Sequence, residues 1–126
     1  MTDMRILVVE DNERNMRLFR DVLETAGHRT LAATTGERAV ELAGEHAPDL
    51  VLMDIQLPGI GGVEALARLR SDERTRSVPV LALTAQAMEG DRERFLEAGF
   101  DGYLSKPVDI ADLVDTVRRY GGTDAP

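Results

Sequence analysis

Ile6-Leu7-Val8-Val9-Glu10-Asp11 places four consecutive apolar residues directly before two acids. A similar arrangement recurs in Leu50-Val51-Leu52-Met53-Asp54. Short apolar runs without alternating polar residues are typical of strands that are covered on both faces, as in a parallel sheet. Together with three further runs, they predict five strands, at residues 5–9, 29–33, 49–53, 79–83 and 102–104.

The segments between these runs have helical periodicity. In the first segment, apolar residues recur every three or four positions, and Gly27 stands where a left-handed cap would end a helix. Further helices are predicted at residues 36–45, 62–71, 91–98 and 109–120. Because strands alternate with helices and parallel crossovers are right-handed, the pattern predicts an α/β, flavodoxin-like, doubly wound (βα)5 domain. Its five-stranded parallel sheet is expected to have the order 2-1-3-4-5.

Composition restricts the function classes. The 126 residues are enough for one domain, expected at residues 1–120, followed by a short flexible tail at 121–126. Cysteine is absent and no apolar run could span a membrane, so a cytoplasmic protein is expected. The net charge of -8 argues against direct nucleic-acid binding and favours a cation or a basic protein surface as partner. A solvated or partner-binding surface is expected from Arg68, Arg70, Arg74 and Arg76.

Polar side chains follow four of the five predicted strands. The acids Glu10 and Asp11 follow the first strand, Asp54 the third, Thr84 the fourth and Lys106 the fifth. Lys106 is the only lysine among fifteen cationic residues, and its compact ammonium can lie between oxygens where a planar guanidinium fits poorly. Because the carboxyl ends of parallel strands meet at one edge of a sheet, these residues are predicted to form one site.

These residue types restrict the chemistry of the predicted site. Three neighbouring carboxylates repel one another unless a cation lies among them, and an all-oxygen ligand set suits Mg²⁺, with Mn²⁺ as an alternative. Mg²⁺ in such sites also binds substrate phosphates. Asp54 would then attack phosphorus and form an acyl phosphate, while Lys106 neutralises charge on the phosphoryl oxygens. The Thr84 hydroxyl would donate a hydrogen bond to one of those oxygens.

Each of these residues has a simpler interpretation when taken alone. Glu10-Asp11-Asn12 suits the capped start of a helix, and Asp54 suits a turn. Lys106 suits a solvated turn, Thr84 a cap and Tyr103 an ordinary position in a strand. The site hypothesis therefore depends on their coincidence at one edge of one sheet.

The same residues resemble the receiver domain of bacterial response regulators. The resemblance covers nearly the whole chain and is strongest to stand-alone receivers of the DivK type. It rests on four stretches: Val9-Glu10-Asp11-Asn12, Met53-Asp54-Ile55-Gln56-Leu57-Pro58, Leu83-Thr84-Ala85 and Tyr103-Leu104-Ser105-Lys106-Pro107.

The resemblance implies a phosphoacceptor of a two-component or phosphorelay system, not an enzyme in the usual sense. Asp54 would take a phosphoryl group from the phosphohistidine of a sensor histidine kinase or a histidine phosphotransfer protein. In the family pattern, Asp11, Asp54 and the main-chain carbonyl of Gln56 would ligate Mg²⁺ directly. Glu10 would act mainly through water.

The resemblance also implies a conformational switch. Lys106 would bridge to the phosphoryl group, and its peptide bond to Pro107 would be cis. Phosphorylation would draw Thr84 inward and let Tyr103 turn into the vacated space. A downstream protein target would then read the altered face formed by the fourth helix, the fifth strand and the fifth helix.

Two features depart from the family pattern. Gly61 stands where many receivers have an aspartate, so the loop before the third helix is expected to be looser than usual. Gln56 and Gln86 lie two residues past Asp54 and Thr84, at positions that in the family tune hydrolysis of the acyl phosphate. Neither glutamine side chain ionises, so neither can act as a carboxylate base.

Three other functions share parts of this pattern. A phosphatase of the haloacid dehalogenase type also forms an aspartyl phosphate, but it expects a second aspartate where this chain has Gln56. A nucleotide-binding protein would need a Walker sequence, which the chain lacks. A flavodoxin-like electron carrier would need a hydroxyl-rich phosphate loop where the acidic pair stands.

Overall fold

The computed structural model describes residues 4–85 and 91–121, apart from the side chain of Arg92. Five strands alternate with five helices in this part of the chain. None of the helices within the described ranges combines the length and apolarity needed to cross a membrane. In chain order the elements are β1 (Arg5–Val9), α1 (Glu13–Thr25), β2 (Arg29–Ala33), α2 (Gly36–His46), β3 (Leu50–Asp54), α3 (Gly62–Ser71), β4 (Val80–Thr84), α4 (Asp91–Ala98), β5 (Gly102–Ser105) and α5 (Ile110–Gly121).

The five strands form one parallel sheet in the order β2-β1-β3-β4-β5, which confirms the predicted fold and strand order. Alternate side chains of each central strand enter two apolar clusters. In β1, Leu7 and Val9 pack with residues of α2, α3 and α4, whereas Ile6 and Val8 pack with residues of α1 and α5. Because helices cover both faces of the sheet, the central strands are apolar at nearly every position.

The strands β3 and β4 each begin and end one residue later than predicted. Asp54 is the last residue of β3, and Thr84 is the last residue of β4. Asp54 pairs with Leu83, and Thr84 pairs with Ser105, so both polar residues remain in the ladder. The prediction ended each strand with its apolar run, but backbone hydrogen bonding does not depend on the polarity of the side chain. The sheet itself therefore holds Asp54 and Thr84.

Glycines or a capping side chain mark several helix ends. Gly27 and Gly99 have φ values of 101° and 113°, in the left-handed region expected of helix-ending glycines. Asp109 caps α5 by accepting a hydrogen bond from the Asp112 N–H. Gly121, predicted as the first residue of the tail, is the last residue of α5, and residues 122–126 lie outside the described part of the chain.

The Arg70 side chain is 24% exposed and is anchored by several hydrogen bonds. Its guanidinium donates hydrogen bonds to the carbonyl oxygens of Arg76, Val78 and Gly99 at 3.1, 2.6 and 2.9 Å. It also donates to the Asp101 carboxylate at 3.1 Å. The sequence did not predict these hydrogen bonds, because the acceptors come from two loops that only the folded chain brings beside the end of α3.

Candidate functional site

The carboxyl ends of four strands meet at one edge of the sheet. Glu10 follows β1, Asp54 ends β3, Thr84 ends β4 and Lys106 follows β5. Since β1, β3, β4 and β5 are successive neighbours in the sheet, pairing of adjacent strands positions all four residues. The pairing continues past the strand ends, where the Lys106 N–H donates to the Thr84 carbonyl at 2.7 Å.

Lys106 joins two of the acids. Its Nζ donates a hydrogen bond to Asp54 Oδ2 at 3.0 Å and lies 2.8 Å from Glu10 Oε1. The side chains of Glu10 and Asp54 are 1% and 6% exposed, so the ammonium contacts two carboxylates that are largely withdrawn from water. A small ammonium suits this position between two oxygens better than a planar guanidinium does. The Lys106–Pro107 peptide bond is cis, as the family resemblance implied.

Main-chain amides orient both buried carboxylates. The Asn12 N–H donates to Glu10 Oε2 at 3.1 Å, and the Gln56 N–H donates to Asp54 Oδ1 at 3.0 Å. In each carboxylate, one oxygen therefore faces the backbone and the other faces Lys106. The sequence interpretation did not include these donors, although an aspartate commonly accepts a hydrogen bond from the N–H two residues further along the chain.

The site shifts the pKa values of two groups. Burial raises the pKa of the Glu10 carboxyl and the charge of Asp54 adds to this, while the adjacent Lys106 ammonium and the hydrogen bond from the Asn12 N–H lower it in part. Partial burial lowers the pKa of Lys106, but its close contacts with the Glu10 and Asp54 carboxylates together outweigh burial and leave this pKa raised. Lys106 therefore remains a cation at neutral pH.

Three carboxylates lie close enough together to share a metal ion. One oxygen from each of Glu10, Asp11 and Asp54 lies within 4.8 Å of the others. Glu10 Oε1 is buried and, although it faces Lys106 Nζ, accepts no hydrogen bond of regular geometry from the described residues. Asp11 is exposed, which leaves the cluster open to solvent. Hard oxygen ligands with open positions suit Mg²⁺ or Mn²⁺, so the residues present fit the predicted cation.

Thr84 and Tyr103 lie at different depths beside the site. Thr84 is buried at the end of β4. Tyr103, on β5, is half-buried, and its ring centroid lies 5.7 Å from that of Phe95 on α4. Since the two rings pack against the same apolar cluster, a movement of Tyr103 would change the packing of α4 directly.

The loop between β3 and α3 uses its glycines in different ways. Gly59 has a φ of 76°, a conformation that favours glycine. Gly61 is the N-cap of α3 and has an extended backbone, with φ -73° and ψ 176°, but no side chain caps the helix. The side chain of Gln56 is exposed, and Gln86 lies outside the described residues.

Replacing Gly61 by aspartate should stabilise the protein. Gly61→Asp is expected to raise the free energy of unfolding by about 1 kcal/mol, because aspartate caps a helix and restricts the unfolded chain. A Cβ at this position would lie 3.6 Å from the Ile55 carbonyl oxygen, an ordinary contact. Urea unfolding measures the change. Gly61→Ala restricts the unfolded chain without capping the helix, so equal stability of the two variants would show that no cap forms.

Comparison with known proteins identifies the family. The profile of the response regulator receiver domain matches residues 6–118. The chain belongs to the response-regulator receiver family. Receiver domains accept phosphoryl groups in two-component signalling and are not enzymes in the usual sense. This membership favours the receiver interpretation over the phosphatase, nucleotide-binding and electron-carrier alternatives.

Curated relatives and solved structures agree with this assignment. The receiver is 47% identical over 117 residues to the polar-differentiation response regulator DivK of Brucella ovis, covering 93% of this chain and 95% of the relative. It is 39% identical, with a TM-score of 0.88, to the receiver domain of the sensor histidine kinase PA1611 from Pseudomonas aeruginosa PAO1. That similarity covers 96% of this chain and 99% of the other, whose structure has a magnesium ion coordinated in the active site cleft. A solved structure from Chloroflexus aurantiacus J-10-fl has a TM-score of 0.88 and 32% identity, covering 94% of this chain and 97% of the other.

Proposed function

We propose that this receiver is a single-domain response regulator, spanning residues 1–120, in which Asp54 accepts a phosphoryl group from a phosphohistidine. The observation that carries the proposal is the orientation of the Asp54 carboxylate. One of its oxygens accepts the Gln56 N–H at 3.0 Å, and the other faces Lys106 Nζ at 3.0 Å. A nucleophile fixed beside a cation has both the orientation and the electrostatic support that phosphoryl transfer needs.

The proposed transfer exchanges one bond to phosphorus for another. A lone pair of the Asp54 carboxylate attacks phosphorus opposite the phosphohistidine nitrogen and forms a P–O bond. The P–N bond breaks, and its electron pair stays on the imidazole nitrogen, which then takes up a proton. Lys106 and the Thr84 hydroxyl would contact the phosphoryl oxygens, on which the negative charge is distributed.

Mg²⁺ is the proposed cofactor, with Mn²⁺ as an alternative. Asp11, Asp54 and the main-chain carbonyl of Gln56 would hold the ion, and Glu10 would act mainly through water. When bound, the ion neutralises negative charge on the phosphoryl oxygens. The carboxylate cluster supports this proposal, as does the magnesium ion in the cleft of the PA1611 receiver.

The proposed output is a change in a protein-binding surface. The acyl phosphate would draw Thr84 inward, and Tyr103 would follow and alter its contact with Phe95. The face formed by α4, β5 and α5 would then present a different surface to a downstream protein target. The proposed donor is a sensor histidine kinase or a histidine phosphotransfer protein. A cytoplasmic location, without direct binding to nucleic acid or membrane, stays a prediction from composition.

A stoichiometric labelling experiment tests the proposed function. The purified protein is incubated with acetyl phosphate and Mg²⁺, and its intact mass is measured. One phosphoryl group per chain is expected, and hydroxylamine should remove it because it is held as an acyl phosphate. An unlabelled protein would contradict the proposal, and so would many turnovers of an added phosphomonoester, since a phosphatase releases its product repeatedly.

A further inference from the structure

The loop between β3 and α3, residues 55–61, is in close contact with the first residue of α2. Gly36 is buried, and a Cβ built on it would lie 2.6 Å from Ile60 Cγ1 and 2.9 Å from the Ile60 carbonyl oxygen. Real Cβ atoms do not approach other atoms so closely, so Gly36 lets the loop backbone and the Ile60 side chain come directly against the helix. Ile60 also packs against the apolar cluster on this face of the sheet.

The other end of the loop is equally tight. A Cβ on Gly62 would lie 2.5 Å from the Asp54 carbonyl oxygen, and the Gly62 N–H donates to the Ile55 carbonyl at 3.0 Å. The base of the loop is therefore fixed against the end of β3. Between the base and Ile60, the Gln56 N–H donates to Asp54 Oδ1, so the position of this part of the loop sets the orientation of the Asp54 carboxylate.

The tip of the loop contains two glycines. Gly59 and Gly61 flank Ile60, and glycine has more backbone freedom than any other residue. Ile60 is the apolar side chain between these two glycines, and it packs between Gly36 and the apolar cluster. Packing of Ile60 against Gly36 of α2 can therefore determine the position of the loop.

We propose that Gly36 and Ile60 form a seat that positions the loop of the acidic site, an inference that rests on the proposed function. Neither residue contributes a side-chain oxygen or nitrogen to the site, so both are positioning residues. The seat acts through the loop backbone, which carries the Gln56 carbonyl proposed as a metal ligand and the Gln56 N–H that orients Asp54. Substituting a residue that orients a metal ligand commonly lowers metal affinity on the order of 10- to 100-fold.

Gly36→Ala tests the seat, with Gly44→Ala as the matched control on the same helix. A Cβ on Gly44 would meet the Arg74 guanidinium, the movable end of a flexible side chain, and would not press on the loop. Mg²⁺ affinity is measured by calorimetry, and hydrogen exchange of the Gln56 amide is measured in metal-free protein. We expect Gly36→Ala to weaken Mg²⁺ binding about tenfold and to accelerate exchange of this amide, and Gly44→Ala to change neither.

Ile60→Ala provides a second variant in case Gly36→Ala fails to fold. It removes the side chain from the seat without adding an atom, and we expect the same faster exchange and weaker Mg²⁺ binding. Unchanged exchange at Gln56 in a folded Gly36→Ala or Ile60→Ala variant would overturn the inference. If the wild-type protein bound no Mg²⁺ or took up no phosphoryl group, the proposed function would be contradicted instead. The exchange measurement is made in metal-free, unphosphorylated protein, so its result distinguishes the two failures.

Discussion

Asp54→Asn is expected to abolish phosphoryl acceptance, with labelling by acetyl phosphate and Mg²⁺ falling by about a thousandfold or more. Asparagine keeps the size of the side chain, but its amide is not a nucleophile toward phosphorus. Its carbonyl oxygen can accept either the Gln56 N–H or the Lys106 ammonium, which now bind separate oxygens of the carboxylate. Intact-mass measurement gives the labelling, and circular dichroism checks that the fold is kept.

Asp49→Asn is the matched control for this experiment. Asp49 directly precedes β3, at the opposite end of the strand that Asp54 terminates, and its carboxylate accepts the Arg5 N–H at 2.9 Å. The substitution has the same chemistry at the far edge of the sheet, so labelling should stay at the wild-type level. If Asp54→Asn were labelled as fully as Asp49→Asn, the acceptor would be another residue.

Lys106→Ala is expected to destabilise the metal-free protein and to slow labelling. Removing the ammonium leaves Glu10 and Asp54 buried and facing each other without the cation that now lies 2.8 and 3.0 Å from their oxygens. The loss in the free energy of unfolding is expected to be about 2 kcal/mol, below the value for a fully buried ion pair because water reaches the partly exposed lysine position. Labelling should slow about a hundredfold, since a group that stabilises the phosphoryl charge is lost.

Mg²⁺ should restore more stability to Lys106→Ala than it gives to the wild-type protein. In the wild type, the ammonium already neutralises part of the carboxylate charge, whereas in the variant the metal has no competitor. Urea unfolding with and without Mg²⁺ measures both increments, and equal increments would show that Lys106 and the metal do not share these carboxylates. Arg118→Ala is the control for the loss of a cation, because it removes the arginine of an exposed ion pair with Asp115. It is expected to change the free energy of unfolding by less than about 0.5 kcal/mol.

The order of the elements and the location of the site were predicted from local signals. The apolar runs around Val8 and Leu52 identified the central strands, because strands covered on both faces need apolar residues at nearly every position. Once these strands are parallel and adjacent, the residues at their carboxyl ends must meet. Glu10, Asp54 and Lys106 therefore came together in the structure as the sequence interpretation expected.

Details of the site that depend on backbone approach were not predicted. The Asn12 and Gln56 amides orient the two buried carboxylates, yet every residue has an amide, so no side-chain pattern marks these two. Gly36 was predicted only as the start of a helix. No pattern in the sequence around it indicates that Ile60 lies against it. Likewise, Arg70 resembles its neighbouring arginines in sequence but differs in its acceptors.

The sequence by itself indicated the α/β architecture, the strand order and the set of side chains at the acidic edge, because these follow from periodicity, from right-handed parallel crossovers and from the central position that the first strand typically has in such a fold. Only the tertiary structure decided that Asp54 and Thr84 stay inside the sheet ladder, how the Asp54 carboxylate is turned, and which helix seats its loop. The physical reason is that periodicity reports which face of an element is buried, whereas these features are set by contacts of a few ångströms between segments distant in the chain. Such contacts exist only after the helices have packed against the sheet.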